Sequence, residues 1–242
     1  MGPMHQTGSE NVGVPLRKSR TFPSLSYLPL WLICITPFLL GSTSLHESGP
    51  SPAKGTPTEA MKTTVSQALG LLRDQNFKKP ERTDELVTRL KQIADSRFDY
   101  AEMARRSMGN QWLQLAEQEQ REFVGLFTEF LTATYVEQIH SYAGEEVKFL
   151  TERLEGDYAE VRSVMVGKKT DTPLDYRLMK KGDDWKAYDV VVDGISMVRN
   201  FREQFASILR SSSYGHLVLL LRGKIAQYNL KAKLSEMSSS VN

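Results

Sequence analysis

The chain has 242 residues, 40% hydrophobic and 25% charged, an ordinary globular composition in a chain long enough to bury its own core without disulfides or metal. Its net charge of +2 comes from the N-terminus: residues 1–44 carry Arg17, Lys18 and Arg20 against Glu10, which leaves 28 basic and 28 acidic residues in the rest, without the basic excess of a nucleic-acid binder. The one cysteine, Cys34, excludes a disulfide framework, and once its segment is removed it excludes a thiolate metal site and a cysteine nucleophile too.

In chain order, Arg17, Lys18 and Arg20 precede an apolar run over 28–40, which Pro29 and Pro37 interrupt; Gly41, Ser42, Thr43 and Ser44 follow. A basic region, a short apolar region and small residues make residues 1–44 a secretory signal peptide, cleaved before Leu45. The run is short of the about 20 residues of a membrane span; an uncleaved signal anchor and a lipoprotein modified at Cys34 are the competing readings, the second opposed by Ile33 where a small residue is needed. Residues 45–57, rich in Ser, Pro and Gly, read as a flexible linker.

A folded domain is expected over 58–228. Thr58 caps a helix to about 75, with Met61, Val65, Ala68 and Leu72 on one face. A second helix over 83–94 buries Leu86, Val87, Leu90 and Ile93. A short one begins at the cap Asp99, carries Tyr100, Met103 and Ala104 on one side, and ends at Gly109. The long helix over 117–142 places Phe123, Phe127, Phe130, Leu131 and Tyr135 on one stripe. The period then changes. Segments 146–153, 158–166, 174–180 and 185–192 read as four strands, punctuated by Gly156-Asp157 and by the turn Lys181-Gly182-Asp183-Asp184. Helices over 196–209 and 215–228 close the domain, and 229–242 form a polar, loose tail. Helices, then a meander of strands, then helices give an α+β fold with a four-stranded antiparallel curved sheet packed against helices. Long aromatic helices on such a sheet leave room for an apolar pocket between the layers.

Signals for covalent chemistry are sparse. His140 and His216 are the only histidines past His46, and neither has a metal-ligand neighbour at helical spacing. No P-loop, G-x-G-x-x-G or G-x-S-x-G occurs. Asp189 and Asp193 read either as an acid–base pair, one of them the base of an enzyme on a cone-shaped α+β scaffold, or as acceptors for turn amides before the following helix. Arg105 and Arg106 suit a phosphate or a solvated helix face. The aromatic stripe is either core or ligand wall.

Three blocks carry a resemblance. FDYAEMARRSMGNQW (98–112), EQREFVGLFTEFLTATY (119–135) and DYRLMKKGDDWKAYDVVVDGISMVRNFREQF (175–205) resemble, in order and spacing, the MlaC family, also called toluene-tolerance or auxiliary ABC-transport proteins. The most specific part is W-K-x-Y-D-V-x-V-x-G-I-S followed by N-F-R-x-x-F; the likeness covers about 60–227. The resemblance implies a periplasmic, non-enzymatic carrier without cofactor or metal. It implies phospholipid acyl chains held between sheet and helices, and shuttling between an outer-membrane lipoprotein complex and an inner-membrane ABC transporter with an MCE subunit. A similar branch is linked to hopanoid lipids. A non-lipid interaction module of an ABC transport system is a further reading.

Taken with strand alternation, the resemblance implies a lipid-binding set. The strands offer Val161 and Met165; Leu174, Tyr176 and Leu178; and Tyr188, Val190 and Val192. These face the long helix, and the helices add Met103, Phe127, Leu131, Val198 and Phe201.

Overall fold

The computed structural model describes residues 55–139, 142–167 and 170–239, with the side chains of all but 78, 80, 135–139 and 235–239 among them. The segment expected to be a signal peptide, with Cys34, the expected linker as far as 54, and His140 lie outside the described residues.

Helix α1, Pro57–Arg73, starts two residues earlier than its sequence suggests. Thr56 is the cap: its hydroxyl accepts the Glu59 N–H (3.2 Å), and the Glu59 carboxylate accepts the Thr56 N–H (2.7 Å). This reciprocal box leaves Pro57 at the first helical position, where no N–H is needed. Thr58, the expected cap, instead donates its N–H to Glu152 (2.7 Å). Met61, Val65, Ala68 and Leu72 are buried, as their spacing predicts. After two 3-10 turns come α2, Thr83–Arg97, and α3, Tyr100–Met108. Asp99 caps α3 through the Glu102 N–H (3.1 Å), and Gly109 stops it at φ +57°, a conformation glycine adopts without cost. A 3-10 stretch, Gly109–Gln114, leads into α4, Glu117–Ile139.

The sheet follows as an antiparallel meander in the order β1-β2-β3-β4-β5. Its strands are β1 Glu146–Glu155, β2 Tyr158–Val166, β3 Thr172–Lys181, β4 Asp184–Val192 and β5 Ile195–Ser196. The sequence predicts four strands; β5, two residues paired to Val191 and Val192, is a fifth, too short to show any alternation. The domain ends with α5, Met197–Ser211, and α6, Tyr214–Ser239. The expected loose tail is therefore helical through Ser239.

Register divides the sheet into two faces. One face aligns Val161, Tyr176 and Val190, then Ser163, Leu174 and Val192, then Ala159, Leu178 and Ala187. All nine are buried. The other face aligns Glu160, Arg177 and Asp189, and beside them Arg162, Asp175 and Val191. Helix α1 lies against β1 and β2, whereas α3 and α5 lie against β4. The long helix α4 packs chiefly on α6 and α3, so it forms a further layer instead of covering the strands as the sequence suggests.

Candidate functional site

The site is organised from β4. Phe98 makes a parallel bridge to Ala187, and the Asp99 N–H donates to the Ala187 carbonyl (2.8 Å), so α3 departs from β4. Helix α5 departs from the same strand through β5. Ser196 caps it, accepting the Arg199 N–H (3.0 Å). Asp189 locks the junction: one carboxylate oxygen accepts the Val198 N–H (3.0 Å), and the other accepts the Ser196 hydroxyl (2.6 Å) and Arg177 (3.1 Å). Of the two sequence readings, the acceptor for backbone amides is the one this geometry fits. Asp193 is exposed in the turn before β5, at φ +47°; aspartate tolerates this better than most residues.

Met103, Phe127, Leu131, Val161, Met165, Leu174, Tyr176, Leu178, Val190, Val192, Val198 and Phe201 all fall in one contiguous buried apolar cluster. Aromatic edges knit the helical side of it. Phe127 and Phe130 of α4 meet Phe201 of α5 edge-on, with centroids 5.5 and 5.7 Å apart, and Phe123 meets Phe205 at 5.9 Å. Such edge-to-face contacts add about 0.5–1.5 kcal/mol per pair beyond burial. The Tyr135 side chain lies outside those described.

Tyr188 is only half-buried and packs against this cluster from its edge. Arg177 pairs with Asp189 but Leu178 pairs with Ala187, so Tyr188 is an extra residue in β4. The shift breaks the alternation that predicts Tyr188 beside Val190 and Val192. Its ring turns to Tyr158 (centroids 6.0 Å apart) and lies under the Arg106 guanidinium at 4.0 Å. Tyr158 pairs with Met179, on the face away from Leu178. Burial raises the Tyr188 phenol above its ordinary value, and the charge of Arg106 partly opposes this. Arg105 and Arg106 share Glu102, at 2.6 Å each; Glu102 is held below the usual carboxylate range by the hydrogen bond from Arg105, against the opposing effect of burial and with help from Arg106.

The sequence reading names no residue of β1 for this cluster, yet Val147 is part of it and Phe149 packs against it, stacked on Tyr176 at 6.4 Å. The alternation Val147-Lys148-Phe149 carried the signal. It stops at a register shift between Phe149 and Thr151, which hides the strand's inward side. Among the described residues, no group of three or more His, Cys, Asp or Glu is placed to hold a metal, and no helix is long and apolar enough to cross a membrane. His216 is exposed on α6.

The model of the family described as MlaC protein matches residues 62–223. The chain belongs to the MlaC family. The match runs from within α1 to the middle of α6 and includes every residue of the cluster named above. This MlaC-family chain is also similar in structure to the phospholipid-binding protein of Ralstonia solanacearum, solved in complex with a phospholipid. The two are 25% identical with a TM-score of 0.62, over 71% of this chain and 97% of that one.

Proposed function

We propose that this MlaC-family protein binds a phospholipid, encloses its acyl chains between the buried face of the sheet and the helices, and carries it through the periplasm without covalent chemistry. In this reading it collects or delivers lipid at an outer-membrane lipoprotein complex and at an inner-membrane ABC transporter with an MCE subunit. The observation that carries the proposal is the likeness to a phospholipid-bound protein over nearly all of that protein's length. The cluster reaching from Val161 and Leu174 to Phe127 and Phe201 supplies the apolar wall.

The physical chemistry suits a carrier. Each buried methylene contributes about 0.8 kcal/mol, so two acyl tails are retained by breadth of apolar surface and need few precise donors. Free release into water would forfeit all of that burial. Transfer therefore runs mouth to mouth, with the protein docked on its donor or acceptor.

Native mass spectrometry of protein recovered gently from the periplasm tests the reading. We expect a complex with one diacyl phospholipid, or a hopanoid-type lipid, whose fragments identify it. Repeated recovery of folded, lipid-free protein under conditions that preserve other lipid carriers would overturn it. N-terminal sequencing of the same material should begin near Leu45; an intact N-terminus confined to membranes would overturn the export step.

A further inference from the structure

Helix α6 is apolar on two opposite sides, and only one of them is covered. Leu217, Leu221 and Ile225 are buried, and half-buried Tyr228 meets Phe130 of α4. On the other side Leu219, Gly223, Ala226, Leu230 and Leu234 follow one another at steps of four, three, four and four residues, which sets them on one line along the helix. The line is about 22 Å long at about 1.5 Å per residue. Its leucines are turned to solvent: Leu219 is 68% exposed, Leu230 60% and Leu234 56%. Single exposed leucines are unremarkable; an aligned row calls for an occupant.

Charge says which. From Gln204 to Ser235 the sequence has no acid and five bases, Arg210, Arg222, Lys224, Lys231 and Lys233. The opposite imbalance holds upstream: with Glu236 counted in the C-terminal part, residues 45–203 have 23 bases and 27 acids. Arg222 and Lys233 flank the leucine line on one side and Lys231 on the other, by their positions around the helix. A leucine face bordered by bases fits the headgroup boundary of a negatively charged bilayer, where apolar insertion and charge attraction add. A second copy of the same face fits poorly, because pairing two such lines would bring Arg222, Lys231 and Lys233 against their own like charges. Leu230 and Leu234 also lie beyond the residues matched by the family.

We propose that the exposed face of α6 is a docking surface for an anionic lipid bilayer, lying in the plane of the headgroups. It is separate from the buried cluster and does not depend on what that cluster holds.

Co-sedimentation with vesicles of phosphatidylglycerol and phosphatidylcholine, against phosphatidylcholine alone, tests it. We expect binding to the anionic vesicles that weakens between about 0.01 M and about 1 M salt, as the Debye length contracts from about 30 Å to about 3 Å. The double variant Leu230→Glu, Leu234→Glu changes exposed positions only. It should keep its circular dichroism and bound lipid while losing vesicle binding by about tenfold or more. Arg222→Gln with Lys233→Gln should remove the preference for anionic vesicles. Leu150→Glu, at an exposed leucine of β1, should leave binding unchanged. Absence of vesicle binding, undiminished binding by the leucine double variant, or a dimer in sedimentation that this variant abolishes would each overturn the proposal. So would parallel loss of the bound lipid, which would make the face part of the carrier cavity; the carrier reading itself stands or falls on native mass spectrometry alone.

Discussion

Asp189 shows what a buried carboxylate does in this fold. It is 2% exposed and meets a backbone N–H, a hydroxyl and a guanidinium, so its acceptor capacity is spent on holding β4, β5 and α5 together. Removing the carboxylate leaves buried donors unmatched, at about 1–3 kcal/mol each. Asp189→Ala should therefore destabilise the domain by about 3 kcal/mol in urea unfolding, the exposure of Arg177 limiting its share. Asp193→Asn, at an exposed position that asparagine tolerates, should stay within about 0.5 kcal/mol of wild type. Asp184 gives a pH-dependent counterpart. Burial would raise its carboxyl, but the hydrogen bonds from Arg97 and Lys186 and the charge of Arg97 bring it down to about 2 from 3.8. Because the folded value is the lower one, its contribution is present above 3.8 and is lost as pH falls through about 2. Asp184→Asn should cost about 1 kcal/mol at neutral pH after allowance for solvent screening. The gap to wild type should close as urea titrations are taken below the ordinary carboxylate value; a gap independent of pH would refute this account.

At the scale of elements, the start of α1 separates two readings of one sequence. Thr56 and Thr58 both precede the apolar periodicity, but the capping box joins Thr56 to Glu59. Thr56→Ala should lower stability by about 1 kcal/mol in thermal unfolding, whereas Thr58→Ala keeps the N–H that Glu152 accepts and should change little. The same region shows what was legible in advance. Met61, Val65, Ala68 and Leu72, or Phe123, Phe127 and Phe130, announce their helices because each buries one side against the core. The four long strands announce themselves by alternation and by turns at Gly156 and Gly182, both at positive φ. Three features were hidden for definite reasons. Strand β5 exists through pairing with Val191 and Val192, a non-local fact. The extra residue at Tyr188 is fixed by the register of β3 against β4. The last turns of α6 looked like a polar tail because their leucines face solvent, so no buried stripe marks them.

For the whole molecule, the antiparallel sheet presents one apolar face, and the helices that meet it are tied to its opposite sides: α1 to β1 and β2, α3 and α5 to β4. Phe201 of α5 then links this layer to Phe127 and Phe130 of α4. Val190 lies on the apolar face, aligned with Tyr176 and Val161, and is buried. A glutamate there distinguishes a wall that parts for acyl chains from a core that never opens. In a closed core the carboxylate is desolvated without a partner, a strongly unfavourable state that unfolds the domain. In a layer able to part, the side chain reaches water in the emptied space, and the fold survives while acyl chains are turned away. We expect Val190→Glu to retain its circular dichroism and a cooperative unfolding transition, with the lipid-to-protein ratio in native mass spectra reduced by about tenfold or more. Val190→Leu, which keeps the surface apolar, should stay loaded. An unfolded Val190→Glu protein, or a folded one with its full complement of lipid, would remove Val190 from the proposed lipid-binding wall.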